Sequence, residues 1–306
     1  MLFDRVVELV VGKSGGQGVL IDQLRINFSI EKTSTETLNN SKIRIYNLAP
    51  DSRKVVETVN NAVILKAGYR QDVGAKVIFV GIIRRALTYR ESTDWITEIE
   101  LDDGLLAYRD SKESFSFDKG TSALTVLKAV AAKFNLPVRP LPADLNDKTY
   151  PKGFSFVGRV RECMTKVCNY LGAEWSIQNQ EIQVIKKGGT IQRTAWVVSE
   201  NTGMLGSPAM EAKTLSDKAA GKRGITTNSA GVIQRRKENV EGEIDDKLEV
   251  QGYKVKTLLN PMIEPGSIVQ LISKGVNGEF MRVEKVIHNG DSQLGPYESE
   301  LSLRFI

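Results

Sequence analysis

The chain has 306 residues, 41% of them hydrophobic and 26% charged, with 42 lysines and arginines against 37 aspartates and glutamates and a single histidine. Such a length exceeds what one hydrophobic core usually fills, so two or more domains are expected, and no apolar run approaches the ~18 to 20 residues of a membrane-spanning helix. The net charge of +5 is small for the length and permits contact with nucleic acid without demanding it.

In chain order, the opening MLFDRVVELVVG has a short alternating pattern with an acid and a base and lacks a small-residue cleavage site, so a chain folded in the cytoplasm is expected. Gly15, Gly16 and Gly18 predict a hairpin loop. From Leu24 to Glu31 the alternation is strict: Leu24, Ile26, Phe28 and Ile30 on one side, Arg25, Asn27, Ser29 and Glu31 on the other, a strand with one wet face. SKIRIYNL, AVILKAGY, AKVIFVGII and DWITEIEL repeat the device up to Leu101, giving at least five strands before residue 102 and suggesting an antiparallel sandwich or barrel. Pro50 in LAPDSRKVVETV is placed to open a short helix.

After residue 102 the period changes. Leu124, Leu127, Val130, Ala131 and Phe134 mark a helical face, with Thr121 or Ser122 as cap and Asn135 and Pro137 as stops. Val160, Cys163, Met164, Val167 and Leu171 form a second stripe, ending at Gly172 where a left-handed cap is wanted. AEWSIQNQEIQVI then reads as a hairpin turning near Asn179. The stretch from Val197 to Gly252 has no aromatic residue, so an excursion at about 211–249 is expected to be a loop rather than a domain. YKVKTLL, SIVQLIS, EFMRVEKVI and YESELSLRFI restore the β pattern. The expected fold class is a β-rich α+β protein: an N-terminal β domain over 1–102, an α+β module over 103–190 and a C-terminal β domain over 191–306, the β domains being tube-like antiparallel barrels or sandwiches.

Few residues invite chemistry. Gly12-Lys13-Ser14 ends like a phosphate-binding loop, but the glycine needed five positions earlier is Val7. Cys163 and Cys168 project about 140° apart on a helix, which disfavours a disulfide, and with one histidine no zinc-ligand spacing exists. His288 is the only residue able to serve as a histidine base, with Asp291 able to orient it. Strand parity instead puts Met281, Val283 and Ile287 on one face and Arg282, Glu284 and His288 on the wet one, with Asn289-Gly290 as a tight turn. Asp102 and Asp103 before Gly104 read as a solvated turn, and Arg235, Arg236 and Lys237 among acids as a mixed-charge loop. No catalytic, cofactor-binding or metal-ligating residue is assigned and no enzyme is expected.

The segments SFSFDKGTSALTVLKAVAAKF, YPKGFSFVGRVRECMTKVCNYLGAEWSIQNQEIQVI, ENTGMLGSPAM, LLNPMIEPGSIVQLIS and NGEFMRVEKVIHNGD, with INFSIEKT and SKIRIYNLAPDSR before them, occur in an order that resembles the central baseplate hub proteins of tailed bacteriophages. That family includes the late-control D proteins and is related to the hub part of the type VI secretion spike. The resemblance spans roughly residues 20–306 without the polar excursion, and departs from the family pattern at Ala49, which has no capping oxygen before Pro50. It implies a homotrimer that adapts a hexameric tail tube protein to a trimeric central spike protein beside other baseplate proteins. DNA would pass through its lumen without specific binding. The implied location is the virion, in the tail baseplate, after assembly in the host cytoplasm. Another tail-tip or spike-associated protein, a β-rich nucleic-acid-binding protein using Tyr69-Arg70 and Tyr89-Arg90, and a peptidoglycan-cutting tail enzyme are the alternatives.

Overall fold

The computed structural model describes residues 4–35, 39–72, 74–104, 112–191, 194–213, 225–227, 233–235 and 249–306. β1 (Arg5–Gly12) and β2 (Gly18–Ile21) form the expected glycine-loop hairpin. A Cβ on Gly12 would lie 2.7 Å from the Gly18 Cα, so the strands meet too closely there for any side chain. β3 (Ile26–Thr33) and β4 (Ser41–Tyr46) precede α1 (Pro50–Val56), whose first turn opens on Pro50 with Ala49 as an N-cap that makes no side-chain bond. β5 (Ala62–Tyr69), β6 (Gly74–Glu91) and β7 (Asp94–Asp102) complete this β unit. Its core is Val7, Leu9, Ile26, Phe28, Ile30, Ile43, Ile45, Leu65, Phe79 and Ile99 with their neighbours.

The α+β module begins with β8 (Lys112–Phe117), β9 (Thr121–Ser122) and α2 (Ala123–Ala132). Ser122 accepts the Thr125 N–H as N-cap, and Asn135 at φ 54 ends the segment. The buried face of α2 is Ala123, Val126, Leu127, Val130 and Ala131; Leu124 is only partly buried, so the stripe sits about one position away from its predicted centre. β10 (Thr149–Tyr150), β11 (Phe154–Arg159), α3 (Val160–Leu171), β12 (Ala173–Gln178) and β13 (Glu181–Lys186) follow. Gly172 caps α3 at φ 72, and Asn179 and Gln180, at φ 54 and 63, make the turn of the β12–β13 hairpin. Cys163 and Cys168 are buried on α3 and not bonded to each other.

β14 (Ala195–Val198) and β15 (Met204–Lys213) lead to a small ribbon of β16 (Ile225–Thr227) and β17 (Ile233–Arg235). Apart from this ribbon and the ends of the flanking strands, the excursion placed at 211–249 lies outside the described residues, Arg236 and Lys237 included. β18 (Glu249–Leu258), β19 (Ile268–Ser273), β20 (Val276–Asp291) and β21 (Tyr297–Phe305) close the chain over a third core of Val255, Val269, Leu271, Met281, Val283, Val286, Leu301 and Leu303. The two flanking strands pair with each other, Lys213 opposite Glu249, so the excursion leaves from the connected end of the β15–β18 pair.

The two β units share one sheet. Its order is β15-β18-β21-β20-β3-β4-β7-β6-β5-β1-β2, with β19 and β14 branching from β20, thirteen strands in all. β20 joins β3 through seven residue pairs, Lys285↔Thr33 to Asp291↔Asn27. Every ladder along that path is antiparallel; β14 against β19 is parallel. The fold is thus a β-rich α+β one, as the alternation predicts.

Parity fails in one predicted strand. Val283 pairs with Leu303 and Lys285 with Ser302, so Glu284 is an extra residue, a β-bulge, and every later side chain of β20 changes face. Val286, His288 and Gly290 turn inward and Ile287 outward, the reverse of the face predicted for His288 and Ile287; Arg282, predicted wet, is 2% exposed. Asn289-Gly290 is not a turn either, because β20 continues to Asp291. Gly290 is required for a different reason. The Phe28 ring lies directly across it, where a Cβ would come within 2.2 Å of the ring.

Candidate functional site

Several of the polar residues that the fold buries, Lys32, Asn39, Asp103, Gln178, Gln183 and Arg282, gather where the β units and the module meet. β3 sends Ile26, Phe28 and Ile30 inward, and the same parity carries Lys32 into the interior, where it is 2% exposed. Its ammonium lies 3.5 Å from the carboxylate of Glu264, on the loop between β18 and β19, and is lowered in pKa by burial. Arg139 of the module reaches the same carboxylate at 2.8 Å while donating to Glu181 at 2.9 Å and Gln183 at 2.8 Å. Burial alone would raise the Glu264 carboxyl, but the two cations hold it below its usual range. Gln183 also donates to the Pro265 carbonyl at 3.1 Å, and Gln178 to the Thr33 carbonyl at 2.6 Å. Arg282 of β20 pairs with Glu174 of β12. Three units are thereby tied by charged and amide side chains, of which Lys32, Arg282, Gln178 and Gln183 are buried, an arrangement in which losing a partner of a buried charge costs more than the pair contributes.

Asp102 and Asp103 belong to this junction and not to a solvated turn: they are 2% and 3% exposed. The end of β7 lies under the module, so both faces of the strand are covered. Asn39 donates to the Asp103 carboxylate at 2.7 Å and the Asp102 carboxylate accepts the Gly104 N–H at 2.9 Å. Burial pushes the Asp103 carboxyl up to about 7, opposed by the Asn39 bond and assisted by neighbouring Asp102.

His288 is fully buried, its Nδ1 2.8 Å from the Ser299 hydroxyl. That hydroxyl also accepts the Asn260 N–H at 3.0 Å, so it joins the His288 ring to the loop before β19. Burial first, and the nearby Lys32 charge second, push the ring down to about 3, so it is neutral at pH 7. A serine beside a histidine is the start of a nucleophilic pair, yet both are 0% exposed. The predicted orienting acid is also engaged elsewhere: Asp291 takes the Arg25 guanidinium at 2.8 and 3.0 Å and the N–H groups of Gln293 and Leu294 at 3.0 and 3.1 Å, closing the loop before β21. The structure separates His288 from Asp291 and makes each a structural fastener. Gly12-Lys13-Ser14 forms the rim of a hairpin rather than a strand-to-helix loop, and Tyr69 is a core residue whose hydroxyl donates to the Tyr297 carbonyl.

Tyr297 couples the β units a second time. Although it opens β21, it lies in the N-terminal core, where its hydroxyl meets the Gly68 N–H and the Val6 carbonyl at 2.9 Å each. Phe28 and Tyr69 meet its ring edge-on at 6.2 and 5.2 Å.

The wet face of the shared sheet carries a ladder of charges whose sign alternates from strand to strand. Glu211 of β15 pairs with Lys254 of β18 at 2.8 Å, and Lys256 with Glu298 of β21 at 3.2 Å. Lys285 of β20 pairs with Glu31 of β3 at 2.6 Å. Arg44 of β4 pairs with Glu98 of β7 at 2.6 Å, and Arg84 of β6 with Glu100 at 2.7 Å. Each basic residue of the ladder thus has an acid across the strand. Sequence reasoning missed both the ladder and the junction. The alternation contained the first, and the continuation of β3 parity to Lys32 pointed to the second.

No family model matches the chain, and no curated protein matches it by sequence. Its fold is the one found in tail proteins of phages and prophages. It is similar over 99% of its length to 97% of a tail protein from Neisseria meningitidis MC58, with a TM-score of 0.63 at 13% identity. Against the 43 kDa tail protein of prophage MuSo2 from Shewanella oneidensis, the TM-score is 0.63 at 8% identity, with 98% of each chain covered. The E. coli c3393 protein, described as a type VI secretion component with structural similarity to the T4 tail proteins gp27 and gp5, matches with a TM-score of 0.55 at 11% identity, over 93% of this chain and 75% of that one.

Proposed function

We propose that the chain is a structural protein of a phage or phage-like tail, and within it the baseplate hub: a homotrimeric symmetry adapter joining a hexameric tail tube to a trimeric spike. The observation that carries this reading is the end-to-end likeness of fold to the two tail proteins, module and both β units together. The type VI component and a PdpA–VgrG complex, matched with a TM-score of 0.50 over 98% of this chain and 64% of that one, support a spike-type partner. In this reading the two β units, joined through one sheet, would each offer the tube a surface, so that three protomers offer six. The units divide near residues 102 and 190. The protein sits in the virion at the tail end, among tube, spike and other baseplate proteins, with DNA passing its lumen unbound, and it performs no catalysis.

The paired charges of the sheet face argue against the nucleic-acid reading, since phosphate binding needs uncompensated cations. The test is light scattering of the purified chain at micromolar concentration with its cognate spike. A trimer is expected, and a persistent monomer with spike present contradicts the hub reading.

A further inference from the structure

Residues 112–187 hold 12 lysines and arginines against 7 aspartates and glutamates, an excess equal to the +5 of the whole chain. The net charge of the protein therefore belongs to the α+β module, and two of the module's acids, Glu174 and Glu181, are already taken by Arg282 and Arg139 at the junction.

The same module has a strand edge that the chain begins to cover and then leaves. β12 and β13 are joined by the two-residue turn Asn179-Gln180, so Gln178↔Glu181, Ser176↔Gln183 and Glu174↔Ile185 are the bonded pairs, and the residues between them turn their N–H and C=O groups away from the partner strand. At Ile182 those groups are used: its N–H donates to the Pro137 carbonyl at 2.8 Å and its carbonyl accepts the Arg139 N–H at 2.9 Å, with Val138 lying parallel to it as a third strand one residue long. Val184, next along this edge, has no such partner among the described residues, although it is 3% exposed. Backbone groups so buried are almost always paired.

Where the chain swings away, a groove of about 700 Å³ opens between residues 140–144 and β13, lined on the strand side by Gln183, Val184 and Ile185. Three consecutive residues line it, so the groove presents the edge of the strand and not one face. At Leu141 and Val184 it meets a second hollow of about 410 Å³, walled by Leu127, Leu136 and Val138. Lys128 lines that hollow and Lys186 ends β13 beside the groove; both are exposed and neither is ion-paired among the described residues, while Asp144 is the only acid on either lining.

We propose that this groove takes an extended segment of a partner protein as an added strand. Peptide groups of the segment pair with Val184 along the edge that Val138 begins, its apolar side chains enter the hollow beside Leu141, and acidic residues at its ends meet Lys128 and Lys186. Open backbone groups at a sheet edge recognise an extended chain, and the excess charge of the module selects an acidic one.

The probe is a short fluorescein-labelled peptide of alternating valine and threonine flanked by paired glutamates, titrated into the full chain and read by fluorescence anisotropy. Saturable binding is expected, weakened about tenfold or more by N-methylation of alternate peptide groups and by replacing the glutamates with lysines. Hydrogen exchange of the Val184 amide should slow about tenfold when the peptide is bound. A chain carrying both Lys128→Glu and Lys186→Glu, at two exposed positions, should bind the glutamate peptide about tenfold more weakly. No saturation at millimolar peptide, or an N-methylated peptide that binds as well as its parent, overturns the proposal. So does an oligodeoxythymidine that binds more tightly than the peptide and is weakened by the same charge reversal, because the basic face then serves nucleic acid.

Discussion

Across β3 and β20, backbone ladders do the joining: seven residue pairs, with Phe28 packed over Gly290 and Tyr297 plugged into the opposite core. The α+β module meets the same two β units through side chains, chiefly Asn39, Arg139, Glu174 and Gln178, around carboxylates and amines removed from water. The difference is energetic as well as chemical. A backbone ladder over an apolar core tolerates pH and salt, whereas a buried ionic joint is strong only while every partner is present and correctly protonated.

The largest effect expected from breaking the comparison is at the apolar joint. Tyr297→Ala removes a buried ring and leaves the Gly68 and Val6 backbone groups without their hydroxyl partner, and should cost about 3–5 kcal/mol by chemical denaturation. At the polar joint, Glu264→Ala strands Lys32 and should cost about 3 kcal/mol or more. Lys32→Met, which leaves Glu264 paired with Arg139, should cost less alone and should recover much of the loss in the double variant, because the amine is then no longer buried without its partner. A double variant no more stable than Glu264→Ala would show that the pair is not the source of the cost.

The pH dependence follows from two groups of opposite sign. Asp103 binds its proton more tightly folded than unfolded, so its contribution is lost as pH rises through about 7. His288, pushed down to about 3, binds its proton less tightly folded, so stability is lost as pH falls below its unfolded value near 6.5. Stability should rise from pH 8 to about 6.5 and then stay nearly flat to about pH 4, where the two offset each other. Asp103→Asn should abolish the rise and leave acid destabilisation; His288→Gln should extend the rise, both read from denaturation midpoints across pH. Gly104→Ala, forced against Ile177, should cost about 1–3 kcal/mol. The smallest effect belongs to the wet ladder: Lys256→Ala, half exposed, should change stability by less than about 1 kcal/mol, and by less still as added salt screens the pair.

Where one local rule decides an element, the sequence was sufficient. The stripe on α3, its cap at Gly172, the Asn179 turn, the proline start of α1 and the alternation of β3 and β4 are all local, and each stands in the structure as read. The face of His288 was not legible, because one extra residue at Glu284 reverses everything after it and nothing in KVIHNGD marks a bulge. The Asp102-Asp103 pair was misread for a related reason: a strand end looks solvated until another unit is known to lie on it. Lys32 shows the middle case. Its parity was visible, but the partner that makes its burial tolerable, Glu264, lies 232 residues further along.

The most direct test of the account is an averaged electron-microscopic reconstruction of the assembled tail particle. It should place three copies of this chain in a ring between tube and spike, each presenting its two β units to the tube. A particle from which the chain is missing, or in which it occupies a site without threefold symmetry, contradicts the central claim.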